Sequence, residues 1–93
     1  MEIYIVTGHL DDETWQIEAV YLSKQSALQR VAKERKEGGY EPMDSETNSE
    51  LVEWQIEDQV SLGDTLFICC DKTTGEIEGV CSEKSAYKLK IQQ

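Results

Sequence analysis

The feature that most constrains the fold is a series of short segments in which apolar residues alternate with polar ones or form brief continuous runs. These segments span residues 2–8, 14–22, 51–58, 64–70 and 76–81. Glycines and polar turn formers separate several of them, as in the stretch DKTTGE between the last two. Because alternation with a period of two is typical of half-buried strands, the pattern predicts an antiparallel sheet of about five strands.

Two segments follow a different pattern and predict helices. Ser23 is a suitable N-cap for a first helix over residues 24–37, and Gly38-Gly39 is a suitable stop. We expect a narrow apolar stripe on that helix, made of Ala27, Leu28, Val31 and Ala32. Ser82 similarly precedes good helix formers, which predict a second helix from Glu83 to about Lys90.

The elements together predict an α+β fold in the order ββα-β-ββα, within one domain of 93 residues. Residues 1–38 form the first ββα unit, 39–63 an acidic loop and extra strand, and 64–93 the second ββα unit. The two units echo each other, since Ile17-Glu18-Ala19-Val20 aligns with Ile77-Glu78-Gly79-Val80. The echo indicates a possible pseudo-repeat, although any hairpin followed by a capped helix produces a similar pattern.

The first unit also resembles a group of known proteins. The pattern Tyr4-Ile5-Val6, followed by Glu18-Ala19-Val20-Tyr21-x-Ser23-x-x-x-Ala27, resembles small uncharacterised phage and prophage proteins with a hairpin before a Ser-capped helix. The resemblance covers about the first 35 residues and, more weakly, the second unit. It implies a phage-type accessory protein. Small, acidic, non-catalytic proteins of that type often bind and block a host component.

The charge of the chain is concentrated in its middle third. The net charge is −10, from 19 acidic and 9 basic residues. Between residues 37 and 71 there is no Lys or Arg, whereas the acidic residues there are Glu37, Glu41, Asp44, Glu46, Glu50, Glu53, Glu57, Asp58, Asp64 and Asp71. A surface of this sign disfavours direct binding to nucleic acid or to an anionic membrane.

The acidic segment is the main functional candidate. We expect it to bind a host protein with a basic surface through Glu41, Asp44, Glu46, Glu50, Glu53, Glu57 and Asp58. The predicted function is non-enzymatic inhibition or modulation of a host defence or nucleic-acid-binding protein, in the strong form by mimicking the charge of nucleic acid. A simpler explanation is that the acidic surface only keeps the protein soluble.

A second hypothesis uses the basic face of the first helix. Arg30, Lys33 and Arg35 could hold an anionic ligand or nucleotide in a homo-oligomer that acts as a sponge. The simpler explanation is a solvated face that balances the acidic middle of the chain.

The remaining reactive residues give weaker signals. His9 with Asp11, Asp12 and Glu13 could support metal binding or acid–base chemistry, or could form a solvated turn. The three cysteines predict buried free thiols in a reducing compartment rather than a disulfide, and a single histidine leaves too few ligands for zinc. We therefore predict no cofactor and no metal. The absence of a signal-like N-terminus and of a long apolar run favours a cytoplasmic protein without a membrane span.

Overall fold

The computed structural model describes residues 1–9, 14–37, 49–81 and 85–93, and this part of the chain contains one helix and six strands. Helix α1 is Lys24–Glu37, and the strands are β1 (Glu2–His9), β2 (Trp15–Tyr21), β3 (Ser49–Gln55), β4 (Thr65–Cys70), β5 (Ile77–Val80) and β6 (Tyr87–Gln92). The strands form one mixed sheet in the order β3-β1-β2-β6-β4-β5, which curls until it is nearly barrel-shaped. The predicted α+β fold, with two helices and an antiparallel sheet, is therefore wrong, because the fold is mostly β.

The predicted second helix is replaced by β6. Its N-cap, Ser82, lies outside the described residues, but the chain from Tyr87 onward is extended. The apolar residues of β6 alternate with polar ones and are Tyr87, Leu89 and Ile91. This strand pairs antiparallel with β4 and parallel with β2, and Ile91 is only 3% exposed. Burial between two strands outweighs the helix propensity of the individual residues, which is a weak determinant.

Each face of the sheet packs a different core. The inner face carries Ile3, Ile5, Ile17, Val20, Ile56, Ile68, Ile77 and Ile91. On the outer face, α1 packs Ala27 and Val31 against β1 and β2. The predicted N-cap is confirmed, since the backbone N–H of Ser26 donates to Ser23 Oγ at 3.3 Å. The buried stripe of α1 is narrower than predicted, because Leu28 is 49% exposed.

A β-bulge lies at the same place in both hairpins. In the first hairpin the paired residues are Ile5 and Val20, Val6 and Ala19, and Thr7 and Ile17. In the second hairpin they are Ile68 and Val80, Cys69 and Gly79, and Cys70 and Ile77. Glu18 and Glu78 are therefore the extra residues of two equivalent bulges. The bulge places Ala19 on the outer face while Ile17 and Val20 stay on the inner face, so both faces of β2 are apolar.

The two halves of the sheet also have an equivalent third strand, which is β3 in the first half and β6 in the second. β3 pairs antiparallel with β1, and β6 pairs antiparallel with β4, so each half of the sheet has the order third, first, second strand. The N–H of Ile56 donates to the carbonyl of Met1 at 2.8 Å, and the N–H of Ile91 donates to that of Asp64 at 2.9 Å. The repeating unit is thus a hairpin plus a strand, not a hairpin plus a helix as predicted.

The two halves are joined on one side only. β2 and β6 form a short parallel ladder, in which Val20 pairs with Ile91 and Tyr21 with Gln92. The equivalent junction on the other side would join β5 to β3, and these two strands are instead the edges of the sheet that residues 1–9, 14–37, 49–81 and 85–93 form. We call the gap between the two edge strands the β3–β5 seam.

A disulfide joins Cys69 of β4 to Cys81, the residue after β5. The prediction of three free thiols is therefore wrong for these two residues. Their Cα atoms are 5.8 Å apart, a separation that a disulfide readily spans. Cys70 remains a free thiol, packed against the inner core. Burial, followed by the charge of Glu78, raises the pKa of the Cys70 thiol, which disfavours a thiolate nucleophile.

We expect reduction of the Cys69–Cys81 bond to lower the free energy of unfolding by up to about 3 kcal/mol, because the bond closes a short loop in the unfolded chain. Chemical denaturation with and without reductant measures the effect. The Cys69→Ser/Cys81→Ser variant should match the reduced protein, and Cys70→Ser should keep the full response to reductant. Alkylation of all three cysteines in the unreduced, unfolded protein would show that no bond forms.

Glu18, the extra residue of the bulge in β2, has a partly buried carboxyl group, and the effect of this burial on stability can be tested. Desolvation, with a smaller contribution from Glu34, raises the pKa of the Glu18 carboxyl above its ordinary value of 4.5. Its Oε2 atom is buried and has no hydrogen-bond partner among the described residues. A raised folded-state pKa favours the protonated form, so stability falls as the pH rises through the window above 4.5.

We therefore expect Glu18→Gln to raise the melting temperature at pH 7, on the order of 1–3 °C, with the gain disappearing below the ordinary carboxyl pKa. Glu78→Gln is the matched control, because Glu78 occupies the equivalent bulge and is exposed. An equal gain for both variants would show that relief of net negative charge, rather than burial of Glu18, is responsible.

Candidate functional site

Two cavities open along the β3–β5 seam. The upper cavity has a volume of about 510 Å³, and its walls include Glu50, Val52, Trp54, Thr74, Glu76 and Ile77. The lower cavity has a volume of about 280 Å³, and its walls include Trp54, Ile56, Glu57, Asp58, Leu66 and Val80. The indole of Trp54 contributes to both cavities, so together they form one groove along the seam.

The alternation of β3 decides which side chains reach the groove. Val52 lies opposite Ile5, and Trp54 lies opposite Ile3, so both side chains are on the inner face of the sheet. Glu50 follows the same alternation and lies opposite Thr7. β3 therefore supplies an apolar floor to the seam and places a carboxylate at its upper end.

The turn between β4 and β5 forms the opposite wall of the upper cavity, and Trp15 holds it in place. The N–H of Trp15 donates to the carbonyl of Lys72 at 2.6 Å. Gly75 has a φ of +77°, and a Cβ atom there would lie 2.5 Å from Trp15 Cδ2. Only glycine tolerates both the positive φ and the close approach of the Trp15 ring. The turn that carries Thr74 and Glu76 is thus fixed against β2.

The edge of β5 lies close to Trp54 in the seam. Gly79 has a φ of +128°, and a Cβ atom built there would be 3.9 Å from Trp54 Cζ2. Val80, the last residue of β5, is 56% exposed although it lines the lower cavity. The seam therefore exposes apolar side chains together with the backbone edges of β3 and β5, which pair with no further strand in the described part of the chain.

The groove is strongly acidic. Glu50 and Glu76 line the upper cavity, whereas Glu57 and Asp58 line the lower one. No Lys or Arg occurs among the described residues that line either cavity. A cleft with carboxylates at both ends and an apolar floor attracts cationic groups from solution.

The structure separates the predicted partner-binding residues into three groups. Glu50, Glu57 and Asp58 lie at the seam. Glu53 lies on the other face of β3, where its carboxylate is 2.6 Å from Lys24 Nζ, and the hydrogen bond from Lys24 raises the pKa of that lysine. The remaining predicted residues lie outside the described part of the chain and are Glu41, Asp44 and Glu46.

Three groove residues escaped sequence reasoning. Glu76 lies beyond Lys72 and so outside the acidic window, although it faces the same cavity as Glu50. Trp54, which the alternation over residues 51–58 places on one face with Val52 and Ile56, is only half-buried and lines the seam. Val80 belongs to the Ile77-Glu78-Gly79-Val80 echo. The similarity between residues 17–20 and 77–80 could have pointed to Val80, because it aligns Val80 with Val20, which lies at the closed junction. This inference also requires knowing that β6 is a strand.

The basic helix residues of the second hypothesis have structural partners. Arg30 Nε donates to Glu34 Oε1 at 2.6 Å, and an Arg30 terminal nitrogen donates to the Tyr21 hydroxyl at 3.4 Å. Arg35 donates through Nε and Nη2 to the carbonyl of Ser49 at 3.1 and 3.0 Å. These contacts link α1 to β2 and to β3. A ligand-binding role for Arg30, Lys33 and Arg35 stays a prediction.

The other reactive residues form no clear site. The His9 ring lies 3.8 Å from the Trp15 ring between centroids, whereas Asp11, Asp12 and Glu13 lie outside the described residues. Across residues 1–9, 14–37, 49–81 and 85–93, no three His, Cys, Asp or Glu side chains could together hold a metal ion. In the same part of the chain, no helix combines the length and apolar character that a membrane span requires.

We expect Arg35→Ala to lower the free energy of unfolding by about 1–2 kcal/mol, because Arg35 fastens the end of α1 to the start of β3 through two hydrogen bonds. Lys36→Ala is the matched control, since it removes the same charge from an exposed neighbour in the last helical turn. Chemical denaturation compares the variants. Equal effects of the two substitutions would mean that only the charge of the helix end matters.

Comparison with known proteins gives no matching family model, no similar curated protein and no similar solved structure. Function is therefore inferred from the chemistry of the seam itself.

Proposed function

We propose that the protein is a non-enzymatic binding protein that contacts a basic partner protein through the acidic groove of the β3–β5 seam. One observation carries the proposal. Four carboxylates line the two cavities along an apolar floor, without a Lys or Arg among the described lining residues; they are Glu50, Glu57, Asp58 and Glu76.

The two parts of the groove make different contributions to binding. The carboxylates speed the encounter with a basic surface and select against acidic competitors. The apolar floor supplies burial energy, and the half-buried indole of Trp54 is a suitable anchor, because tryptophan is enriched among residues that dominate binding energy. A basic partner with an exposed apolar residue would use both parts.

In the strong form of this proposal, the protein inhibits a host defence or nucleic-acid-binding protein. The groove carboxylates would then occupy the positions of nucleic-acid phosphates, and the net charge of −10 supports this reading. A cytoplasmic site of action is part of the same proposal. In that compartment the Cys69–Cys81 pair would be exposed to reduction, so binding should not require the cross-link.

We expect the double reversal Glu50→Lys/Glu76→Lys to abolish capture of partner proteins from a host lysate. The substitutions place two cations where the partner presents cations. Captured proteins are identified by mass spectrometry at low and high salt, and high salt should release them from the wild type.

Glu53→Lys is the matched control, since it reverses a charge on the same strand but on the face opposite the groove. It should leave capture largely unchanged. Capture that survives both the double reversal and high salt would contradict the proposed function.

A further inference from the structure

We infer that the β3–β5 seam receives its partner as an added β-strand, namely an extended segment with basic residues near both ends and apolar residues between them. This inference rests on the proposed function and deepens it by naming the form in which the partner is recognised. It depends on three observations about the two junctions of the sheet.

The first observation is that the seam is the open counterpart of a closed junction. The equivalence of the two halves matches Val80 with Val20 and Ile56 with Ile91. Val20 and Ile91 pair in the β2–β6 ladder, whereas Val80 and Ile56 line the lower cavity. The seam therefore retains the side chains of a strand junction, whereas no ladder joins β3 to β5 among the described residues; backbone donors and acceptors of these two edges have no strand partner there.

The second observation is the direction of the two edges. β3 runs antiparallel to β1, and β5 runs antiparallel to β4. Because the parallel β2–β6 pair joins the halves, β3 and β5 run in the same direction. A single segment running the opposite way can thus pair antiparallel with both edges, which is the usual geometry of strand addition.

The third observation concerns charge at the two junctions. The four seam carboxylates are Glu50, Glu76, Glu57 and Asp58. The same alignment of the halves places Ser85, Gln16, Gln92 and Gln93 at the corresponding positions of the closed junction. The side chains of all four are uncharged. At these positions, carboxylate side chains therefore occur at the open junction and not at the closed one, and they complement cations on an incoming strand.

The positions of the carboxylates define the segment. Glu50 and Glu76 lie at the upper end of the seam, and Glu57 and Asp58 at the lower end. β3 itself, Ser49–Gln55, covers about 20 Å at ~3.3 Å per residue, and Glu57 and Asp58 lie just beyond its end, so a segment of about eight residues spans the groove. Its middle residues would alternate, with every second side chain packed on Val52, Trp54 and Ile77.

A second copy of this chain does not fit the same site. Among the described residues, the strand edges that another copy offers are those of β3 and β5, and the same carboxylates lie beside them. The lysine-bearing strand β6 is enclosed between β2 and β4. Like charges would face each other across such an interface, so the occupant must be a basic segment of another protein.

The test uses a capped synthetic peptide, acetyl-KVTVTVTK-amide, and the full-length ¹⁵N-labelled protein. We expect saturable binding with slowed amide hydrogen exchange along β3 and β5. Methylation of the peptide nitrogens that face either edge should weaken binding by about tenfold or more, because each methyl group removes a backbone donor. A matched peptide with Glu in place of both Lys residues should not bind.

Each result that differs from these expectations would contradict a specific part of the inference. Unchanged affinity of the N-methylated peptides, or failure of the parent peptide to bind, would overturn strand addition. If the lysate capture remains sensitive to Glu50→Lys/Glu76→Lys in that case, the proposed function survives without it. Equal binding of the Lys and Glu peptides would overturn the basic character of the segment, and a dimer in the free protein would identify a second copy as the occupant.

Discussion

The pairing of β6 with both β2 and β4 is the interaction on which the rest of the structure depends. It joins two hairpins that would otherwise be separate, and it buries Ile91 between them. A lone hairpin is marginally stable in water, whereas a sheet of six strands closes around a continuous core of isoleucines. The same pairing sets the direction of β5 relative to β3, and thus the geometry of the groove.

Sequence patterns predicted the local elements better than their assembly. The predicted helix over residues 24–37 coincides with α1, and the five predicted strands overlap β1 to β5. The prediction failed at β6 because residues 83–90 are good helix formers, whereas the alternation of Tyr87, Leu89 and Ile91 is typical of a strand. That alternation decides the structure only when two partner strands are available, and the availability of β2 and β4 is a tertiary fact.

At the candidate site, too, sequence patterns predicted local features but not how distant segments come together. Clustering of acidic residues drew attention to β3, yet Glu53 and Glu50 lie on opposite faces of that strand. Alternation alone implies this separation, but it cannot show that Glu76, from a distant hairpin, meets Glu50 across a cavity. The disulfide was missed for a related reason, because the pairing of Cys69 with Gly79 that brings Cys81 near depends on the bulge at Glu78.

The two halves of the sheet differ most where they would need to differ for binding. The chain around β6, whose two edges are paired, has Ser85 and Gln92 at the positions where the chain around β3 has Glu50 and Glu57. If acidity served solubility alone, it would have no reason to avoid the closed junction while occupying both ends of the open one. Carboxylates around exposed apolar side chains also discourage self-association at an unpaired edge, where like charges repel. The same charge pattern therefore protects the free protein and admits a basic strand.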